Sequence, residues 1–420
     1  MAIDKDLFLY DLAVVAIMKN EAPYVKEWLD YHILAGVDHF YIFDNESPDN
    51  FKEVLQPYID AGIVTYKFYP GTGRQIEAYT EAFKAYRFFC RYMAFIDADE
   101  FIFPQNNKSI VEVADEILKE NPTSSSLLVS WIMYGSNNLE KADYSKGVLE
   151  RFTRRSKKLE MTVKTIADPR KIFYMTTPHY FNYFLGYNNF GERTPEEKRG
   201  LAEKIFINHY RLKSREEFLN KNNKFVGDVA YGNKDYYNAN KFTHEKNNEV
   251  FDDRILKYRN ERKKNYGGNV RQIDYRKLEN ALIKNLSPIF EKKLSHEFFE
   301  DQMETFLVCR ALAQYLDEKS FDKQNISIIE NAALNAINIT LQTDIDIADV
   351  EIFLSELPNI LPRNYPVVKN IRESTLEIIP KIKNVFKMLI NEDKKRSLWR
   401  NFYYYDSILS LLKGFETYHK

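Results

Sequence analysis

The sequence predicts an α/β protein: a mostly parallel sheet covered by helices, with a mainly α-helical domain after it. Three observations carry that prediction. Short apolar runs alternate with amphipathic stretches over the first hundred residues, the connections between them are only a few residues long, and beyond about residue 270 helical periodicity takes over. Strand–helix alternation with short connections marks a parallel sheet with helices on both faces. At 420 residues the chain also exceeds one ordinary core. The change of character divides it into residues 1–265 and 266–420.

Each element follows from its residues. Leu12 to Ile17 is a short apolar run suited to a buried strand. A helix is expected from about Pro23 to Ala35, with Val25, Trp28, Leu29 and His32 on one face. Pro23 is tolerated in its first turn and Gly36 can end it. His39 to Phe43 reads as the second strand; Phe51, Val54, Leu55, Tyr58 and Ile59 mark the next helix face, closed by Gly62. Ile63 to Tyr69 is a third strand, Gln75 to Phe89 a third helix, and Tyr92 to Ile96 a fourth strand. Leu127 to Tyr134 is a further strand, followed by the polar loop Gly135-Ser136-Asn137-Asn138. The segment from Gly147 to Lys224 is mixed and holds the apolar stretch Ile205 to Ile207. Helical spacing then dominates, with Ala311, Leu312, Tyr315 and Leu316, and later Ala332, Ala333, Ala336 and Ile337; no repeat of fixed period is visible.

Bulk composition excludes several function classes. The 60 Lys and Arg nearly cancel the 61 Asp and Glu, whereas a dedicated duplex-binding protein carries a basic excess, so no nucleic-acid partner is expected. Cys90 and Cys309 cannot build a disulfide framework, and no Cys/His metal spacing occurs. No basic-then-apolar leader opens the sequence, and no run of about 18 apolar residues could span a bilayer. A cytoplasmic protein is the expectation. The 29 Tyr and 30 Phe suit sugar faces and nucleobases, although most must fill the core. Neither a G-x-G-x-x-G after the first strand nor a phosphate-loop motif is present.

Ligands of such sheets bind beyond the carboxyl ends of the strands. There the sequence places Lys19, Asn20 and Glu21, then Asp44 and Asn45, then Gly71 to Arg74, then Asp97 to Glu100. The sharpest feature is Tyr92 to Phe101, in which an apolar strand delivers Asp97 and Asp99. Extended geometry would point both carboxylates the same way. Two oxygen ligands at a strand end suit a hard divalent cation that keeps positions open for diphosphate oxygens. The same Asp-x-Asp spacing recurs at Asp4/Asp6 and Asp344/Asp346, where nothing suggests a site. His209 can supply a further metal ligand, and Arg211 and Lys213 can meet phosphate oxygens. Asp44 and Arg74 can accept from, or stack on, a base or ribose.

The blocks Lys19-Asn20-Glu21, Glu27 to His32 and Gly36 to Asn45 resemble the opening of glycosyltransferase family 92 and its bacterial relatives. Ile96 to Phe101 resembles that family's metal motif. Trp131 with Gly135-Ser136-Asn137, and Asn208-His209-Tyr210 with Lys213-Ser214, resemble later blocks. The resemblance spans about residues 10 to 260. It implies a GT-A, Rossmann-like fold, manganese or magnesium as cofactor, and a UDP-sugar donor, UDP-galactose first, transferred with inversion. Asn20 and Glu21 then fall on the donor side. Asp44 and Arg74 look like the uridine-contacting pair, Asp97 and Asp99 like the metal and ribose-diphosphate contacts, and His209 like the late metal ligand.

Inversion needs a base for the acceptor hydroxyl. The acceptor side is expected around Trp131, Ser136 and Asn137, with Glu150 ahead of Asp143 as base. Beside Arg151 and Arg154, Glu150 equally suits ion pairing. The acceptor expected is a glycan, lipid-linked if the C-terminal segment docks on a membrane. From Lys381 to Lys420 nine basic residues face four acidic ones, and Lys394-Lys395-Arg396 precedes Trp399, Phe402 and Tyr403 to Tyr405. A nucleotidyltransferase would show a Gly-rich loop early in the chain, and none is present; a non-catalytic nucleotide-sugar or glycan binder stays open.

Overall fold

The alternation at the start of the chain builds β1 (Tyr10–Met18), α1 (Ala22–Leu34), β2 (His39–Asp44), α2 (Phe51–Asp60), β3 (Val64–Phe68), α3 (Gln75–Tyr86) and β4 (Cys90–Phe95). Then follow β5 (Glu100–Pro104), α4 (Ile110–Glu120), β6 (Ser124–Met133), the single turn α5 (Val148–Arg151), β7 (Arg154–Arg155) and β8 (Val163–Ala167). The later strands are β9 (Ile172–Met175), β10 (Phe181–Tyr183), β11 (Asn188–Phe190), β12 (Ile205–His209) and β13 (Val250–Phe251). This computed structural model describes residues 3–175, 177–183, 188–190, 203–221, 242, 246–265 and 273–291, with single helical positions between 305 and 315. Segment 381–420, the pair Asp344/Asp346 and the stretch 332–337 lie outside the described residues.

The chain divides into two units, Tyr10–Gln272 and Met1–Leu9 with Ile273–Lys420. The first holds the expected α/β sheet, while residues 1–9, expected with it, group with the other unit. The main sheet runs β3-β2-β1-β4-β8-β6-β12-β5, with β11 also paired to β6. β1, β2, β3 and β4 are parallel, β8 inserts antiparallel between β4 and β6, and β5 closes the order antiparallel to β12. The carboxyl ends of β1, β2, β4, β6 and β12 therefore share one edge with the amino ends of β8 and β5.

Alternation along β1 feeds two cores. Leu12, Val14, Ala16 and Met18 pack with Trp28, Leu29, Phe51, Leu55 and Ile110, while Ala13 and Val15 pack with Tyr79, Ala82, Phe83 and Phe95. Each large apolar side chain so buried contributes about 1.5–3 kcal/mol. α1 also fastens the strand that follows the acidic motif. Trp28 Nε1 donates to the Glu100 carbonyl at 2.8 Å, Tyr31 Oη to the Ile102 carbonyl at 2.9 Å, and the Ile102 N–H to His32 Nε2 at 3.3 Å. Burial pushes His32 down to about 3, which keeps Nε2 an acceptor.

α1 ends where expected. Gly36 has φ 99°, and a Cβ there would stand 2.9 Å from Cβ of Ser109, so both conformation and space require glycine. Ser109 in turn caps α4 through a capping box with Glu112. β5, α4 and β8 lie in stretches where no strand or helix is predicted above.

In the other unit the helix Tyr275–Glu291 carries Lys284 and Asn285, whose side chains donate to Asp4, and Lys277, which pairs with Asp6 at 2.7 Å. The Asp4/Asp6 copy of the acidic spacing is thus occupied by exposed ion pairs, which contribute little.

Candidate functional site

β4 ends at Phe95, and the chain turns at Ala98 and Asp99 before β5 begins with Glu100. That turn separates the two carboxylates, which do not share the single direction that continued extended geometry would impose. Asp97 Oδ1 accepts from Gln75 Nε2 at 2.7 Å and Tyr79 Oη at 3.4 Å, and its Oδ2 accepts from Lys164 Nζ at 2.9 Å. Glu100 is fully buried; its Oε2 accepts from the Asp97 N–H at 3.0 Å and lies 4.0 Å from Lys164 Nζ. Burial holds the Glu100 carboxyl well above the usual range, against the pull of Lys164. For Lys164 burial works the other way, but Asp97 and Glu100 outweigh it and raise its pKa, so the ammonium stays charged.

Asp99 goes elsewhere. Its carbonyl accepts from the Tyr210 N–H at 2.8 Å, which brings it beside the end of β12. His209, the last residue of that strand, places Nε2 3.3 Å from Asp99 Oδ1. The Trp131 indole stands edge-on against the His209 ring, 4.3 Å between centroids, and lies 5.5 Å from the His179 ring on its other contact. Two ligands held about 2.1 Å from one cation at right angles are about 3 Å apart. The Asp99–His209 spacing therefore suits a shared divalent ion, and His209 Nδ1 is buried with no hydrogen-bond partner among the described residues. No group of three His, Cys, Asp or Glu side chains suited to hold a metal occurs among the described residues. Asp99 and His209 supply two ligands, and Asp97, already bonded through both oxygens, is not gathered with them.

The expected donor residues line the same edge. Asn20, at the end of β1, has φ 57°, and its N–H donates to Ser47 Oγ at 3.0 Å. Asp44 is buried at the end of β2, accepting from the Ser47 N–H at 2.9 Å and from Tyr66 Oη at 2.7 Å. Arg74 precedes α3, pairs with Glu77 at 2.5 Å and sets its guanidinium 5.1 Å from the Tyr69 ring centre. The next residue, Gln75, reaches Asp97, which ties this corner to the acidic motif. Lys213, at φ 53°, is buried with Nζ 3.5 Å from the Tyr24 ring centre and 3.8 Å from Glu21 Oε2. Tyr24 Oη donates to Glu217, which takes two hydrogen bonds from Arg151 at 2.8 and 2.9 Å. Despite burial, Arg151 and Ser214 hold the Glu217 carboxyl down to about 2.

Two of the expected acceptor-side residues are loop braces. Asn137, at φ 49°, accepts from the Thr153 and Arg154 N–H groups, and Ser136 Oγ accepts from the Asn138 N–H and Asn248 Nδ2. Trp131 alone of the three touches a candidate ligand. Neither expected base joins the site: the exposed Glu150 pairs with Arg259 at 3.0 Å, and the exposed Asp143 caps its own turn by accepting from Ser145.

Residues 15–264 match glycosyltransferase family 92. The chain belongs to glycosyltransferase family 92. Among proteins it is similar to are a family 92 protein of Ricinus communis, 24% identical over 215 residues, and one of Oryza sativa subsp. japonica, 27% identical over 226. These stretches cover 50% and 53% of this chain but 37% and 36% of the relatives, so the chain matches little more than a third of their length. Similar solved structures include S. aureus TarS 1-349 in complex with UDP, at 13% identity, TM-score 0.25, and coverage of 90% of this chain and 91% of that one. Among the described residues no helix is long and apolar enough to cross a membrane.

Within this family 92 domain, sequence reasoning missed Lys164 and His179. Lys164 sits in Val163-Lys164-Thr165-Ile166-Ala167, a β-branched strand broken by one lysine, and that pattern was the available signal. His179 has none; the chain returns it to β8, where Nδ1 donates to the Val163 carbonyl at 3.0 Å and its own carbonyl accepts from Thr165 Oγ1 at 2.7 Å.

Proposed function

We propose that this chain is a divalent-cation-dependent glycosyltransferase that moves a sugar, galactose in the first instance, from a UDP-sugar to a glycan hydroxyl with inversion. The observation that carries the reading is the Asp99–His209 pair, 3.3 Å apart at the carboxyl edge of the sheet in a family 92 domain. Manganese or magnesium bound there would supply counter-charge for the departing diphosphate. Asp97 presents a carboxylate held on two sides, ready to accept from donor hydroxyls. Asp44 and Arg74 flank it on the nucleoside side, and Lys213 adds positive charge beside Glu21.

For the acceptor proton, His179 replaces Glu150 and Asp143 in this reading. A carbonyl only accepts, so the bond to Val163 makes Nδ1 the protonated nitrogen and leaves the lone pair on Nε2. His179 and His209 both pack against the Trp131 indole, which brings a second imidazole to the neighbourhood of the candidate cation ligands, and an imidazole is the commonest general base. A lipid-linked acceptor would give the basic, aromatic segment 381–420 a purpose at a membrane surface.

The test is UDP release and sugar transfer by the full chain on a panel of UDP-sugars and glycan acceptors, with MnCl2 or EDTA. Mn-dependent release with a new glycoside carries the reading. Tight UDP-sugar binding without release under any acceptor would return the chain to a non-catalytic binder.

A further inference from the structure

Asp97 carries more partners than a simple metal ligand needs. A carboxylate offers about four lone-pair positions, and Gln75, Tyr79 and Lys164 take three of them. Lys164 is 1% exposed, on a strand locked between β4 and β6, so its ammonium cannot swing out to water. A buried lysine persists only when its charge is matched, and its acidic neighbours here are Asp97 at 2.9 Å and Glu100 at 4.0 Å. A divalent ion on Asp97 Oδ2 would share one oxygen with that ammonium, and like charges so close repel strongly where water is excluded. Asp99 is turned the other way by the bond between its carbonyl and the Tyr210 N–H, and its carboxylate meets His209 instead.

We propose that Lys164 is the built-in counter-ion of this site: it reserves Asp97 for hydrogen bonding and confines a divalent cation to Asp99 and His209. The inference rests on the cation-dependent reading above and deepens it. Side-chain exposure of 34% leaves Asp97 open on one side, enough for a donor hydroxyl to reach the remaining lone pair. The two carboxylates of one short motif then have separate partners, one a lysine of the fold and one an ion from solution.

The experiment is Mn2+ binding to the full chain, read by electron paramagnetic resonance with and without UDP. Asp97→Asn should leave the Mn2+ dissociation constant within about twofold, whereas His209→Ala should weaken it about tenfold or more. Lys164→Met frees a carboxylate and removes a positive charge, so it should tighten Mn2+ about tenfold, and Asp97→Asn added to it should abolish that gain. A tenfold loss on Asp97→Asn alone, with Asp99→Asn and His209→Ala also weakening binding, makes Asp97 a ligand and overturns the proposal. Should Lys164→Met fail to fold by circular dichroism, the Asp97→Asn titration decides. Failure of the cation reading looks different: no saturable Mn2+ binding, or binding untouched by Asp99→Asn and His209→Ala, removes that reading and this inference together.

Discussion

Arg151 and Glu217 form one buried ion cluster in the α/β unit, and Lys164, Asp97 and Glu100 form another. Arg151 and Glu217 are 3% and 1% exposed, joined by two hydrogen bonds, with Tyr24 and Ser214 donating to the same carboxylate. Each cluster leaves one buried polar atom with no partner among the described residues, Arg151 Nε in the first and Glu100 Oε1 in the second, but only around Lys164 does a member open to water, Asp97 on one side. A low dielectric strengthens every satisfied contact and penalises every missing one. The closed cluster is therefore a brace, and the open one keeps unspent hydrogen-bonding capacity at the edge where a ligand would arrive.

The largest expected effect breaks the closed cluster. Arg151→Met strands Glu217 as a buried charge and should cost about 3–5 kcal/mol in urea unfolding. Glu217 also gives this cluster an acid signature. Its carboxyl drops from 4.5 to about 2 on folding, so its stabilisation is present above about 4.5 and is lost as pH falls toward 2. Glu217→Gln should flatten that part of a stability-against-pH curve, and an unchanged acid limb would assign the slope to other carboxylates.

In the open cluster the loss should fall on turnover. Asp99→Asn should lower turnover about 100-fold or more while the melting temperature stays nearly unchanged; Asp97→Asn should cost as much turnover and also lower the melting temperature, because it takes the nearest counter-charge from the buried Lys164. Near-normal turnover at saturating donor and metal would remove either carboxylate from the site. His209→Ala should weaken Mn2+ about tenfold; an unchanged metal titration would make His209 a packing partner of Trp131. The smallest effect is a control outside both clusters. Ser109→Ala removes the cap of α4 and should cost about 1 kcal/mol of stability, with donor and metal affinity unchanged by calorimetry.

Much of this was legible in the residues before any fold was known. The first four strands and three helices follow from local periodicity, because apolar spacing and chain-stopping glycines such as Gly36 act within a few residues. The edge carrying Asn20, Asp44, Arg74 and Asp97 followed too, since parallel sheets present their strand ends together. Other features depended on contacts between residues far apart in sequence. Sequence could not show that β8 inserts antiparallel beside β4, which carries Lys164 across 67 residues to Asp97. Nor could it show that the chain turns at Ala98 and Asp99, sending one carboxylate to Gln75 and Lys164 and the other to His209. Glu150 and Asp143 had the right chemistry for a base, but Arg259 and Ser145 engage them, whereas His179 stands against Trp131 only because its segment folds back onto β8. Side-chain type and local spacing set which elements form and what each residue can do. Which of those residues meet is decided by long-range pairing, because a strand's neighbours depend on every other strand competing for the same edge.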